Sequence, residues 1–255
     1  MAGYTWAHAI DTAGNTNNLG YAPQNSLDYK AEKGNGDYDI RHRFTFSGSY
    51  DLPSRKSWGQ MLEGWQLTSI FQVETGQPVL NYDNVNDITM TYEGPGNANN
   101  DRWNIVGDPS RLQVSTKGIP RLDPSDPICQ SVATTPELQR GLNWAGYCFA
   151  QNGVIIYPNA FGTFGNMGRN ILRGPHFVNW DFSTSKVWKL NERFKLQLRG
   201  ELFNILNHAN FASPSGNLVS RHMGQLRTTP DVAASNPVVG SGGSRHIQIG
   251  AKVIW

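Results

Sequence analysis

The chain has 255 residues, with 22 Lys and Arg against 20 Asp and Glu and a formal charge of +2. Aromatic residues reach 11% and charged residues only 16%, which excludes a disordered chain. The basic residues are scattered, so no nucleic-acid partner is implied, and no apolar run reaches the roughly 18 to 20 residues of a membrane-spanning helix. The negative mean hydropathy does not exclude a membrane protein, because a barrel strand crosses in about 9 to 11 residues and turns half of them to a polar interior.

Six segments predict β-strands. Residues 3–10 are short and aromatic. Residues 40–52 set Phe44, Phe46, Tyr50 and Leu52 against Arg43, Thr45, Ser47, Ser49 and Asp51. Residues 65–75 set Trp65, Leu67, Phe71 and Val73 against Gln66, Thr68, Gln72 and Glu74, with Ile70 as the one departure. Residues 176–190 set Val178, Trp180, Phe182 and Trp188 against Asn179, Asp181, Ser183 and Ser185. In residues 193–206, Phe194, Leu196, Leu198 and Leu202 oppose Lys195, Gln197, Arg199 and Glu201, until the pattern blurs at Phe203 and Ile205. The last strand, 245–255, sets Ile247, Ile249, Ala251, Val253 and Trp255 against Gln248, Gly250 and Lys252. A helix would scatter the leucines of 195–201 around its axis, so a period of two decides for strand. The helix-like stretch 136–142 falls inside a loop.

The connections alternate in length: long over 11–39, short over 53–64, very long over 81–175, very short at 191–192 and long over 207–244. That asymmetry is expected of an outer-membrane barrel with short periplasmic turns and long external loops, whereas a soluble sandwich has no reason to alternate. The long connections are rich in Gly, Asn, Asp, Pro and Ser, as irregular surface segments are, and residues 153–157 are expected to form a small outer hairpin. The fold class is therefore all-β, an antiparallel portion of a transmembrane barrel. Six strands cannot close such a barrel, so the chain is expected to be the tail of a larger one. Its opening run, M-A-G-Y-T-W-A-H-A-I, has no secretory signal pattern, which points the same way.

Several motifs resemble the carboxy-terminal part of TonB-dependent receptors, and specifically the Oar-like group, which carries a carboxypeptidase-regulatory-like domain in its amino-terminal half. They are G-T-F-G-N-M-G-R-N-I-L-R-G-P at 162–175, N-W-D-F-S-T-S-K at 179–186, and F-K-L-Q-L-R-G-E-L-F-N-I-L-N-H-A-N-F at 194–211. Tyr4-Thr5-Trp6, Y-D-I-R-H-R-F at 38–44, and G-W-Q-L with the following E-T-G-Q-P at 64–78 resemble the same group. The resemblance implies that residues 1–255 supply about the last six strands of a 22-stranded barrel, without signal peptide, plug or earlier strands. It implies import of an external ligand across the outer membrane of a Gram-negative-type bacterium, powered by the inner-membrane TonB complex. It also implies that outer-membrane lipid and the barrel assembly machinery are partners, the latter reading the terminal strand.

On this reading Lys195, Gln197, Arg199, Glu201, Gln248 and Lys252 face the lumen, and Trp65, Trp180, Trp188 and Trp255 face lipid or its interface. Trp103, Trp144 and Tyr147 are candidate ligand contacts in the outer loops, with Phe149 and Tyr157 beside them; loop packing is the alternative. Cys129 and Cys148 either pair, which suits an oxidising compartment, or stand as two thiols. Asn81, Asp83, Asn84, Asn86, Asp87 and Glu93 could supply oxygen ligands to calcium, but their spacing fails the EF-hand pattern and fits a solvated loop. The Gly and Asn residues of G-N-M-G-R-N are expected to set turns rather than to bind phosphate. No catalytic motif occurs and no cofactor is implied, so the chain is expected not to be an enzyme. The rival expectation is a soluble secreted β-sandwich binding glycan or protein through aromatic loops.

Overall fold

A computed structural model describes residues 1–12, 23–79, 83, 88–90, 101–230 and 242–255. In chain order its elements are β1 (Ala2–Trp6), β2 (Ile10–Asp11), β3 (Gly34–Asn35), β4 (His42–Asp51), β5 (Trp65–Glu74), β6 (Pro78–Val79), β7 (Asn104–Val106), β8 (Arg121–Leu122), α1 (Pro127–Val132), α2 (Pro136–Ala145), β9 (Cys148–Gln151), β10 (Val154–Tyr157), β11 (Leu172–Arg173), β12 (Phe177–Lys189), β13 (Lys195–Phe203) and β14 (His246–Ile254). The six predicted strand segments form one antiparallel sheet in the order β1-β4-β5-β12-β13-β14. Each strand pairs with its sequence neighbour among the six, so the sheet is a meander.

Strand ends follow from local chemistry. The predicted strand 3–10 stops at Trp6, and the Asp39 carboxylate then takes the Ala9 N–H at 2.8 Å. The predicted strand 193–206 stops at Phe203, because Asn204 takes a left-handed φ of 49° and breaks the alternation where the sequence pattern blurs. The sheet is open among the described residues, with β1 and β14 at its two edges. Among the described residues no second sheet lies on Ile247, Ile249 or Val253, which are 67%, 82% and 49% exposed. The soluble sandwich therefore gives way, since its core would have to cover those side chains.

All three long connections leave the same end of the sheet, and the short ones leave the other. The longest is not irregular, contrary to expectation. It holds a four-stranded sheet in the order β7-β10-β9-β8 together with both helices. The stretch 136–142 belongs to a helix of ten residues, α2: the Thr135 hydroxyl accepts from Leu138 N, Pro136 starts the first turn, and Gly146 closes the end at φ 81°. The hairpin β9–β10 turns on Asn152 and Gly153, both at positive φ, the pair that a two-residue turn of matching twist favours.

Trp103, Tyr147, Phe149, Val154, Ile156, Met167 and Leu172 form the core of this cap, joined by Leu218 and Met223 from the last long connection. The sulfurs of Cys129 and Cys148 are bonded and packed with Ala133 and Leu142. The bond ties α1 to β9 across 19 residues. Replacing both cysteines with serine is expected to cost the cap about 3 kcal/mol, by the loop-closure argument. Limited proteolysis should then cut faster between residues 107 and 160 while the six-stranded sheet keeps its resistance; an unchanged cutting rate would show that the bond contributes nothing.

Candidate functional site

The register of the sheet sorts its side chains into two surfaces. Lys195, Gln197, Arg199 and Glu201 stand opposite Ile254, Lys252, Gly250 and Gln248, so all six polar residues anticipated for one face do share a face. Arg199 pairs there with Glu201 at 2.8 Å. Across the sheet the same face carries the Arg43–Glu74 pair at 2.8 Å, Gln72 donating to Glu74 at 2.6 Å, and Gln66 donating to Asp51 at 2.9 Å. It also carries Ile70, opposite Ser47 and Asp181.

The opposite face is mostly apolar. Tyr4, Phe44, Val73 and Val178 fall in one row and Phe46, Phe71 and Trp180 in the next. Phe182, Leu202 and Ile247 continue it at the far edge. Phe71 meets Phe44 and Trp180 edge-on at 6.2 and 6.3 Å. Trp65, Trp188 and Trp255 lie at the short-turn end of this face, and Tyr4 and Trp6 at the long-loop end. Trp180 stands farther in, its indole N–H donating to Ser69 at 2.9 Å. Tyr4 and His42 share a hydrogen bond of 2.8 Å, so His42 is a strand-end partner.

Two of the three aromatic residues anticipated as ligand contacts are core residues instead. Trp103 is fully buried and donates to Asp83 at 3.0 Å. Tyr147 is buried, donates its hydroxyl to Leu218 O at 2.9 Å, and lies under the Arg121 guanidinium at 3.5 Å. Desolvation pushes its phenol up to about 12, against a lowering by Arg121. Trp103 lies wholly inside, while Tyr147 shows an edge to a small cleft lined by Arg121, Asp123 and Arg221. Phe149 is likewise buried, and Tyr157 packs against the disulfide cluster. Trp144 alone of the three is on the surface, with Phe161 edge-on at 5.2 Å. Of the oxygen ligands considered for calcium, only Asp83 is among the described residues, and no group of three or more His, Cys, Asp or Glu there could hold a metal.

The quoted motifs interlock the long connections. Arg102 binds both Glu32 oxygens, at 2.7 and 2.9 Å, and Gln24 donates to Gly165 O at 3.0 Å. Gly165 has to be glycine, because a Cβ there would lie 2.0 Å from Arg102 O. Arg169 donates to Glu32 O at 3.0 Å, and Asn170 and Asn35 exchange side-chain bonds to each other's carbonyls at 2.7 and 3.2 Å. The G-N-M-G-R-N run thus sets close contacts between loops. In F-N-I-L-N-H-A-N-F, Asn210 clamps Val178 N and O at 2.7 and 2.8 Å, and Asn204 holds His208 O and Gly243 O, both at 2.8 Å.

Asp39 gathers Arg41 at 2.6 Å, Ala9 N at 2.8 Å and Arg173. Burial pushes its carboxyl up, but Arg173, Arg41 and the Ala9 N–H outweigh that and hold it at about 2, below the ordinary 3.8. A lowered folded value stabilises above the unfolded pKa and is lost as pH falls through the folded one. Loop docking should therefore weaken between about pH 4 and pH 2, by on the order of 2 kcal/mol. Hydrogen exchange at Ala9 and Arg173 should accelerate over that window in the native protein and be flat there in Asp39→Asn.

Two adjoining clefts, each of about 500 Å³, open where the cap meets the long-loop end of the sheet. They share Pro175 and Phe211; Glu74, Gln77 and Phe177 line one, and Arg173, His176 and His208 the other. Sequence patterns did not single out this place, since it is assembled from β5, β12 and the last long connection. Its walls come from quoted motifs that lie far apart in the chain, Glu74 to Gln77, Arg173 to Pro175 and His208 to Phe211.

An apolar exposed face, a polar reverse face and interlocked loops at one end match what a comparison with known families finds: the outer membrane beta barrel domain is matched over residues 1–248. The chain belongs to that family. No curated protein and no solved structure matches it. Family membership gives the protein its location in the bacterial outer membrane. An outer-membrane barrel domain crosses lipid with strands, and none of the described helices is long and apolar enough to cross a membrane.

Proposed function

We propose that the six-stranded sheet is an arc of the barrel of a TonB-dependent receptor of the Oar-like kind, importing an external ligand. The observation that carries this is the sheet itself: one face mostly apolar across all six strands, interrupted by Lys186 and by Ser69 and Thr184, and two unpaired edges. Unpaired strand edges in hydrocarbon cost several kcal/mol per group, so further strands have to flank β1 and β14 in the membrane, toward the 22 that the resemblance implies. In this reading Lys195, Gln197, Arg199, Glu201, Gln248 and Lys252 line the lumen, and Trp65, Trp180, Trp188 and Trp255 meet lipid. The short turns then lie in the periplasm, the cap outside, and the clefts beside Phe211 at the outer mouth, where a ligand enters. The assembly machinery engages β14. No catalytic step is assigned to any residue.

Cross-linking in cells tests the transport part. The outer-membrane protein carrying this chain should yield an adduct with TonB, and supplying ligand should increase it. A correctly assembled barrel that never forms that adduct would overturn energised import while leaving the barrel intact.

A further inference from the structure

From the turn between β4 and β5 we infer that the protein carries a membrane foot, which seats in the phospholipid headgroups of the periplasmic leaflet and holds their phosphates by charge. This rests on the reading above in one respect, that short turns face the periplasm. The turn is not a loose connection. Gln60 extends the ladder of β5 with its side chain: its amide accepts from Lys189 N at 2.9 Å and donates to Lys189 O at 2.8 Å. Ser57 accepts from Leu62 N at 2.8 Å and closes the turn on itself.

The turn is also drawn onto the apolar face. Lys186 belongs to that face by register, opposite Trp65 and Leu198, yet it is buried. Its ammonium donates to the carbonyls of Gln60 and Glu63 and lies 5.0 Å from the Trp188 ring and 5.7 Å from the Trp65 ring. Trp65, on the same face, donates its indole N–H to Met61 O at 2.7 Å. A cation on a lipid-facing row is costly unless satisfied, and here the carbonyls of the turn satisfy it. The satisfied cation in return fixes the turn beside the row of interface tryptophans.

What the fixed turn presents is apolar and basic. Trp58 is 93% exposed, and Met61 and Leu62 are 52% and 59% exposed. Arg55 and Lys56 are exposed and make no ion pair among the described residues. Three large apolar side chains in water on a hydrogen-bonded turn are unfavourable, and their continuity with Trp65 and Trp188 gives them a solvent, the headgroup and acyl boundary. Two free cations beside them suit the phosphates of an anionic phospholipid.

Trp58→Cys carrying a nitroxide label tests the foot; Cys129 and Cys148 are bonded to each other, so within this chain the new thiol is the one that labels. Phe46→Cys on the apolar face and Leu27→Cys on a long loop serve as depth references. In isolated outer membranes, contact of the label at 58 with a water-soluble nickel chelate should be severalfold below that at 27. Contact should fall further in vesicles of phosphatidylethanolamine with phosphatidylglycerol than in phosphatidylethanolamine alone, and Arg55→Ser with Lys56→Ser should erase that difference. If position 46 reads acyl depth while 58 is as wet as 27, the foot is overturned and the barrel stands. If 46 is wet as well, the barrel reading itself fails. A label at 58 that is shielded in cell membranes but wet in both kinds of vesicle would overturn the lipid partner in favour of a periplasmic protein.

Discussion

Phe46→Arg is expected to keep the protein from assembling in the membrane, while Ser47→Arg, one residue on, is expected to be tolerated. The two side chains are neighbours in β4, and the register separates them completely: Phe46 stands opposite Ala2 and Phe71 on the apolar face, and Ser47 stands opposite Ile70 on the polar one. Phe46 is the fifth of ten residues in the strand, so an arginine there lies near the midplane. Arginine on the lipid face at that depth costs about 2–4 kcal/mol, which is roughly 30-fold to 1,000-fold in the folding equilibrium. Ser47→Arg adds a charge to a surface that already carries Arg43, Arg199 and Lys252. Denaturant titration in lipid vesicles, with the amount of folded protein in outer membranes as the cellular counterpart, measures both. Equal losses would show that the two faces meet the same surroundings, and the lipid and lumen assignment would fall.

That prediction was open to the sequence alone, because a membrane imposes a period of two over nine residues or more and the pattern is long enough to count. Five of the six strands follow from it, the short β1 having been read from its aromatic residues instead, and Ile70, the departure in 65–75, is on the polar face by register. The cap was not legible in the same way. Its strands are two to four residues long, so no period can be read, and its fold comes from distant partners such as Tyr147 with Leu218 and Cys129 with Cys148. Trp103 and Tyr147 looked like loop aromatics because the core they fill is assembled from segments as far apart as Val79 and Met223. Only the Asn152-Gly153 turn and the Thr135-Pro136 helix start left local marks. The clefts beside Phe211 are walled by residues of quoted motifs, but the motifs come together only where two connections and two strand ends meet.

Glu32→Ala is expected to cost about 3–5 kcal/mol in the docking of the loops, more than any single change outside the membrane-spanning strands. The carboxylate is fully buried and holds Arg102 with two hydrogen bonds; without it a guanidinium with 2% exposure stays in the interior and loses both of those bonds. The carboxylate also accepts from Gln24 N, at 3.0 Å, so the first long connection loses its own anchor along with the ion pair. Hydrogen exchange should accelerate at residues 24–35, 101–106 and 165–173 together, because Gln24, Gly165, Arg169 and Asn35 are tied into one network. Pairing Glu32→Leu with Arg102→Met should recover part of the loss, since an apolar pair leaves no orphaned charge. If the double variant is no better than the single one, the cost lies in the carboxylate's bond to the chain at Gln24 and not in its bonds to Arg102. If Glu32→Ala leaves exchange unchanged, the loops are held by the aromatic core alone, and the shape of the outer surface does not depend on this pair.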